Sequence, residues 1–375
     1  MTATHRAMVR QNGTISVLTR STPVPIGYEL LVEPIYAGLC GTDIQMLRGL
    51  RDDPSPVIGH EGVARVVATG ECVPDNLATG TLVCINPTHR NDPLFLLGHN
   101  VEGLLQERVL IPESAVRDGL VMPLDECHNS ALSTLLEPLA AVQYALDLLS
   151  KHHPSTLVVF GDGVTGHIAV RAAREFLGPD IHIVHIHHTA QGLAWSQNHK
   201  VASVVPVLNN TAGAALLSSI NEDERVAVLL ATPRDATLLC LETALRYLRG
   251  ELAIDLLGGI PQEASSPLLP GTDLSLIRAA NCGGFPEHAV NFPVHTSSGK
   301  LVCLLGHRGV AHRHLRSAAF ELVKHPLRYC ELITHVMSMQ EAAPVMTQLA
   351  GSRSRLVDGR RLIKLAVKIT ANVPV

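Results

Sequence analysis

Thr156-Leu-Val-Val-Phe160 runs directly into Gly161-Asp-Gly163-Val164-Thr-Gly166, and the reading of these eleven residues decides the fold. The apolar, β-branched run is bounded by Pro154 and Gly161, the pattern of a strand buried on both faces of a parallel sheet. An amphipathic helix is expected over residues 167–177 and a second strand over 181–186. A lone G-x-G-x-x-G carries little weight; between a strand and a helix it is the signature of a dinucleotide phosphate loop. Gly161 would permit the tight turn, Gly163 the approach of a pyrophosphate to the backbone, and Gly166 the packing of helix on strand. The free N–H groups and positive dipole end of the helix then face the phosphates, and Val164 belongs to the same candidate set. Further strands expected at 226–231, 252–257 and 301–305 extend the sheet.

The first 140 residues read differently. Residues 7–9, 14–18, 28–37, 62–69 and 82–85 are short apolar runs separated by Gly, Pro and Asp, which suits a small, partly open barrel. Residues 104–110 are expected as another strand, and 131–149 as the first long helix. At 375 residues the chain calls for two domains. The 46% apolar fraction supports a large core, and a net charge of −4 gives no sign of nucleic-acid binding. No window approaches the run of about 18 apolar residues that a membrane span needs, and the N-terminus lacks the apolar core of a signal peptide. Eight scattered cysteines suit a reducing compartment. A cytoplasmic protein that binds neither membrane nor nucleic acid is expected.

Chemistry concentrates in residues 31–70. Cys40-Gly-Thr-Asp43 ends one apolar run, and Gly59-His60-Glu61 opens the next, twenty residues after the cysteine. Thiolate, imidazole and carboxylate make a ligand set that suits Zn²⁺. Each residue also has a plain alternative: Cys40 as a core cysteine, His60-Glu61 as a strand-end pair, Glu137 as a carboxylate at a helix start before Pro138.

From about residue 25 to residue 369 the chain resembles the zinc-dependent medium-chain alcohol dehydrogenases, and within them the polyol (sorbitol) and threonine branch. Glu137-Pro-Leu-Ala140 resembles that branch's signature, and Leu332-Ile-Thr-His335 with Met339-Gln-Glu-Ala resembles a stretch near the family's C-terminus. The resemblance implies an α/β chain of a GroES-like barrel domain (1–140, completed by 308–375) and a Rossmann domain (141–307), the latter a doubly wound parallel sheet. It implies one catalytic zinc on Cys40, His60, Glu61 and Glu137. Thr42 would take the proton of the substrate hydroxyl, with Gln45 and Glu61 in the catalytic set. The implied activity is hydride transfer between NAD(P) and a secondary alcohol or ketone: a polyol, cyclitol, amino-cyclitol or hydroxy amino acid. Alternatives on the same fold are a zinc-free reductase and a cofactor-binding protein without turnover. Relatives pair through the edge strand before Gly306, so a homodimer or homotetramer through residues 301–305 is expected.

Three departures stand out. Gln45 occupies the place of a family histidine that completes a proton relay to solvent. Residues 86–97 contain none of the four cysteines of the family's structural zinc, so no second zinc is expected. Where NAD-binding folds end their second strand in an acid, this chain has His187, followed by His188 and Thr189. Loss of the acid leans toward NADP, although no arginine follows to clamp a 2′-phosphate. Arg48 and Arg51 read as solvated arginines or as the rim of a substrate mouth.

Overall fold

Asn12 and Gly13 both take positive φ, 49° and 78°, and form the two-residue turn that suits the twist of a hairpin. They join β1 (Thr4–Gln11) to β2 (Thr14–Ser21), with Gln11 opposite Thr14. The computed structural model describes residues 3–370. β3 (Leu30–Gly38), α1 (Gly41–Leu47), β4 (Glu61–Thr69), β5 (Leu82–Ile85), β6 (Val109–Ile111), α2 (Glu113–Arg117) and β7 (Val121–Pro123) follow, and then α3 (Leu136–Ser150). The strand expected over 104–110 is replaced by β6 alone. Residues 103–105 instead bond to the backbone of 57–59, with Leu104 N donating to Gly59 O at 2.8 Å. That pairing is spent on fixing the entry to β4.

The chain forms two compact units, one up to Glu137 and from Leu315 onward, the other Pro138–His314. In the second unit β8 (Thr156–Phe160), α4 (Val164–Leu177), β9 (His182–His187), α5 (Ala190–Asn198) and β10 (Val204–Leu208) build one half of a sheet. α6 (Thr211–Ser218), β11 (Arg225–Leu230), α7 (Thr237–Tyr247), β12 (Glu251–Asp255), α8 (Leu274–Ala279), β13 (Phe292–His295) and β14 (Leu301–Leu305) complete it. Strand order is β10-β9-β8-β11-β12-β14-β13, parallel except for β13. The order reverses between β8 and β11, the point at which such sheets bind ligands at their strands' carboxyl ends. This is the Rossmann arrangement.

β14 is not an edge: it lies between β12 and β13, and the outer strand is β13. The apolar run 301–305 is therefore an interior strand, and Pro293, which cannot donate to a ladder, marks the real edge.

In the first unit the chain returns through α9 (His312–Lys324), α10 (Pro326–Tyr329), β15 (Ile333–Ser338), α11 (Met339–Gly351), β16 (Leu356–Val357), β17 (Arg360–Arg361) and β18 (Lys364–Lys368). The GroES-like sheet runs β15-β18-β3-β4-β5-β7, with β6 also pairing β3. Leu30, Val32, Val66, Leu104, Leu105 and Met346 lie in one apolar core. Among the described residues no helix is long and apolar enough to cross a membrane.

Candidate metal centre and dinucleotide loop

The antiparallel register of β3 and β4 sets Gly38 opposite Glu61. The chain leaving β3 at Cys40 therefore passes beside the residues entering β4 at His60. Gly62 permits this closeness, since a Cβ there would strike the carbonyl of Tyr36. Cys40 caps α1, its N–H donating to the Asp43 carboxylate at 2.8 Å. Leu39 N donates to Leu365 O at 2.9 Å, tying the same turn to β18.

The potential ligand atoms of Cys40, His60 and Glu61 lie within 4.8 Å of one another, the only such cluster among the described residues. His60 and Glu61 are buried. Cys40 Sγ approaches Thr42 Oγ1 at 3.6 Å. Glu61 is paired with the fully buried ammonium of Lys364, which also donates to Leu39 O at 3.4 Å. Asp43, fully buried, stands behind His60 with Oδ1 3.8 Å from Nδ1. Neither of those two atoms has a hydrogen bond within the protein.

Burial pushes the Cys40 thiol up, with the Glu61 charge adding and His60 opposing. Burial alone would lower His60, but Cys40, Asp43 and Glu61 hold the imidazole well above its usual value. Three acidic groups around one imidazole and one lysine make a pocket that favours added positive charge. The sulfur, imidazole and carboxylate donors fit a divalent cation of zinc's preferences.

Glu137 lies in the first turn of α3, outside this three-residue cluster. Burial pushes its carboxyl up to about 7, His60 and Lys364 pulling against that and Glu61 adding to it. Gln45 is half-buried on α1. Arg48 donates to the carbonyls of Leu349, Ala350 and Ser352 at the end of α11, and Arg51 pairs with Asp53 at 2.7 Å. Both arginines are thus structural. His99, which the sequence gave no reason to select, lies with its ring 5.2 Å from that of His60 and its Nδ1 3.3 Å from Asp53. In the 86–97 segment His89 holds the loop, Nδ1 accepting from the N–H groups of Asn91 and Asp92 and Nε2 lying 2.7 Å from Asp118.

In the second unit Gly161 takes φ +132°, and a side chain there would meet Ala231 O. A Cβ at Gly166 would strike Gly161 O and come within 3.3 Å of His185 Nε2. His185 donates from Nε2 to Gly161 O at 2.8 Å, bracing the loop from β9. Gly163, at the N-cap of α4, is exposed with nothing within 4 Å of its Cβ position, an open cradle where a phosphate would fit. Val164 starts α4. His187 is fully buried against His185 and His167, while His188 is exposed.

Residues 27–120 match the alcohol dehydrogenase GroES-like domain. Glucose 1-dehydrogenase 1 of Vulcanisaeta moutnovskia is 28% identical over 174 residues, covering 40% of this chain and 49% of that protein. The chain thus spans about half the length of the curated relatives it matches. A putative zinc-binding dehydrogenase of Sinorhizobium meliloti, bound to NADP, superposes with a TM-score of 0.71 at 20% identity, covering 98% of this chain and 99% of that one. A short chain alcohol dehydrogenase of Escherichia coli CFT073, complexed with NADH, gives 0.69 at 15% identity, covering 98% and 100%. At these identities the structural likeness speaks for the fold.

Proposed function

We propose, for a chain that belongs to the zinc-dependent medium-chain alcohol dehydrogenase family, an NAD(P)-linked oxidoreductase that interconverts a secondary alcohol and its ketone. The observation that carries this is the convergence of Cys40, His60 and Glu61 at the β3–β4 register. Cys40, His60 and Glu61 would hold one zinc, with Glu137 a fourth donor, directly or through water. Bound zinc supplies a Lewis acid that polarises the substrate oxygen. Thr42, at hydrogen-bond range of the Cys40 sulfur, would take the hydroxyl proton at Oγ1 while releasing its own toward solvent. Asp43 stands behind His60, and Lys364 is the buried partner of Glu61. In the second unit Gly161, Gly163, Val164 and Gly166 form the pyrophosphate cradle, and the nicotinamide supplies the hydride chemistry. The glucose 1-dehydrogenase relative makes sugars, and the resemblance to the polyol branch makes polyols, the first substrates to try.

A homodimer or dimer of dimers is the proposed assembly. β13 is the edge of the Rossmann sheet beside 301–305, so the joining strand would be 292–295. Sedimentation giving a stable monomer at micromolar concentration would refute it.

Metal analysis after zinc-replete expression should give one equivalent per chain, and Cys40→Ala should lose both zinc and turnover. Two equivalents, or none, would count against the metal assignment. A screen of polyols with both cofactors tests the activity itself.

A further inference from the structure

The second strand of the Rossmann sheet ends without the acid that reads an adenosine ribose, and the ring at that place, His187, is buried. A carboxylate nevertheless reaches the same end of β9. Asp162, the residue between the first two glycines of the loop, accepts from Thr189 Oγ1 at 2.8 Å and from Thr189 N at 3.2 Å. Thr189 Oγ1 in turn accepts from Gly192 N at 3.0 Å and caps α5. Gly192 is part of the arrangement, because any side chain there would collide with the Asp162 carboxylate. Loop, strand end and helix start are thus locked around one negative charge, which the α5 N-terminus favours.

We infer that Asp162, not a strand-end residue, reads the ribose 2′-hydroxyl, and that the site selects NAD(H) over NADP(H). This rests on the dehydrogenase reading and refines it. A carboxylate accepts from a 2′-hydroxyl and repels a 2′-phosphate, so one group supplies both the attraction and the discrimination. The donors that could have favoured a 2′-phosphate are otherwise placed: Thr189 is engaged by Asp162, His187 is in the interior, and only His188 remains exposed. No Lys or Arg occurs between Ile186 and Trp195. This preference runs against the sequence's lean toward NADP.

The test is a binding titration, read from nucleotide fluorescence without substrate. Wild-type protein should bind NADH roughly tenfold or more tightly than NADPH, the scale of one charged hydrogen bond. Asp162→Asn keeps an oxygen for Thr189 and should lower that ratio about tenfold; Asp162→Ser should lower it further. Wild-type preference for NADPH, or a ratio unchanged in both variants, overturns the assignment. Binding of neither dinucleotide to wild type overturns the dehydrogenase reading, and this one falls with it.

Discussion

Lys364 is fully buried, and its partner there is the equally buried Glu61. Removing one member of a buried ion pair strands the other, at a cost of about 3–5 kcal/mol. Lys364→Met should therefore lower the stability of the metal-free protein by that amount, read from denaturant midpoints. Zinc should recover part of the loss, since a divalent cation can replace the lysine as countercharge to Glu61. An unchanged midpoint would show that Glu61 does not depend on Lys364. Gln45 poses the opposite case, a neutral amide that can bond to a proton's carrier but cannot hold the proton. Gln45→His should speed alcohol oxidation near neutral pH and add an ionisation near about 6.5. A pH–rate profile left unchanged while hydride transfer limits the rate would remove Gln45 from the proton path.

The glycine loop separates two demands that one motif usually blurs. Gly166 meets Gly161 O and His185 at once, whereas Gly163 faces open space with an ordinary φ of −92°. Gly166→Ala should cost about 1–3 kcal/mol through overpacking and weaken dinucleotide binding as well. Gly163→Ala should leave the melting temperature near wild type and weaken only the dinucleotide. Equal stability of the two variants would contradict this division. The loop and its flanking strand could be read from local pattern because β8 is buried on both faces and spells that in five residues. β10 could not: Val204–Leu208 is half-exposed and interrupted by Pro206, so no period emerges. β13 is hard to read because its four residues alternate in burial beside the stronger apolar run of β14, and only Pro293 signals an edge strand. At the metal centre, Cys40, His60 and Glu61 could be read from spacing, since one strand pairing brings them together. Lys364 could not, because 303 residues separate it from Glu61 and only the closure of β18 onto β3 joins them.

Across the whole molecule, burial decides how the fold answers to acid. His99, His185 and His314 are each pushed down to about 3. Burial is the main cause in all three. His60 and Arg51 add to it at His99, His187 at His185, and Arg313 and His307 at His314, while Asp53 opposes at His99. In the unfolded chain these rings take up protons near about 6.5. The unfolded state therefore binds more protons between about pH 3 and 6.5, and stability falls as pH drops through that window. Each histidine contributes about 1.4 kcal/mol per pH unit well below 6.5. In the metal-free protein His60, held above its ordinary value, adds no slope in that window; its contribution is lost only as pH rises. Denaturant midpoints at pH 7.5, 6.0 and 5.0 should thus be flat at first and then fall steeply. His314 stacks on Tyr144 at 4.2 Å, so His314→Phe can keep the ring contact while removing the titration. That variant should show a shallower acid slope than wild type. A midpoint constant down to pH 5 in wild type would mean that the buried imidazoles gain solvent before the fold opens.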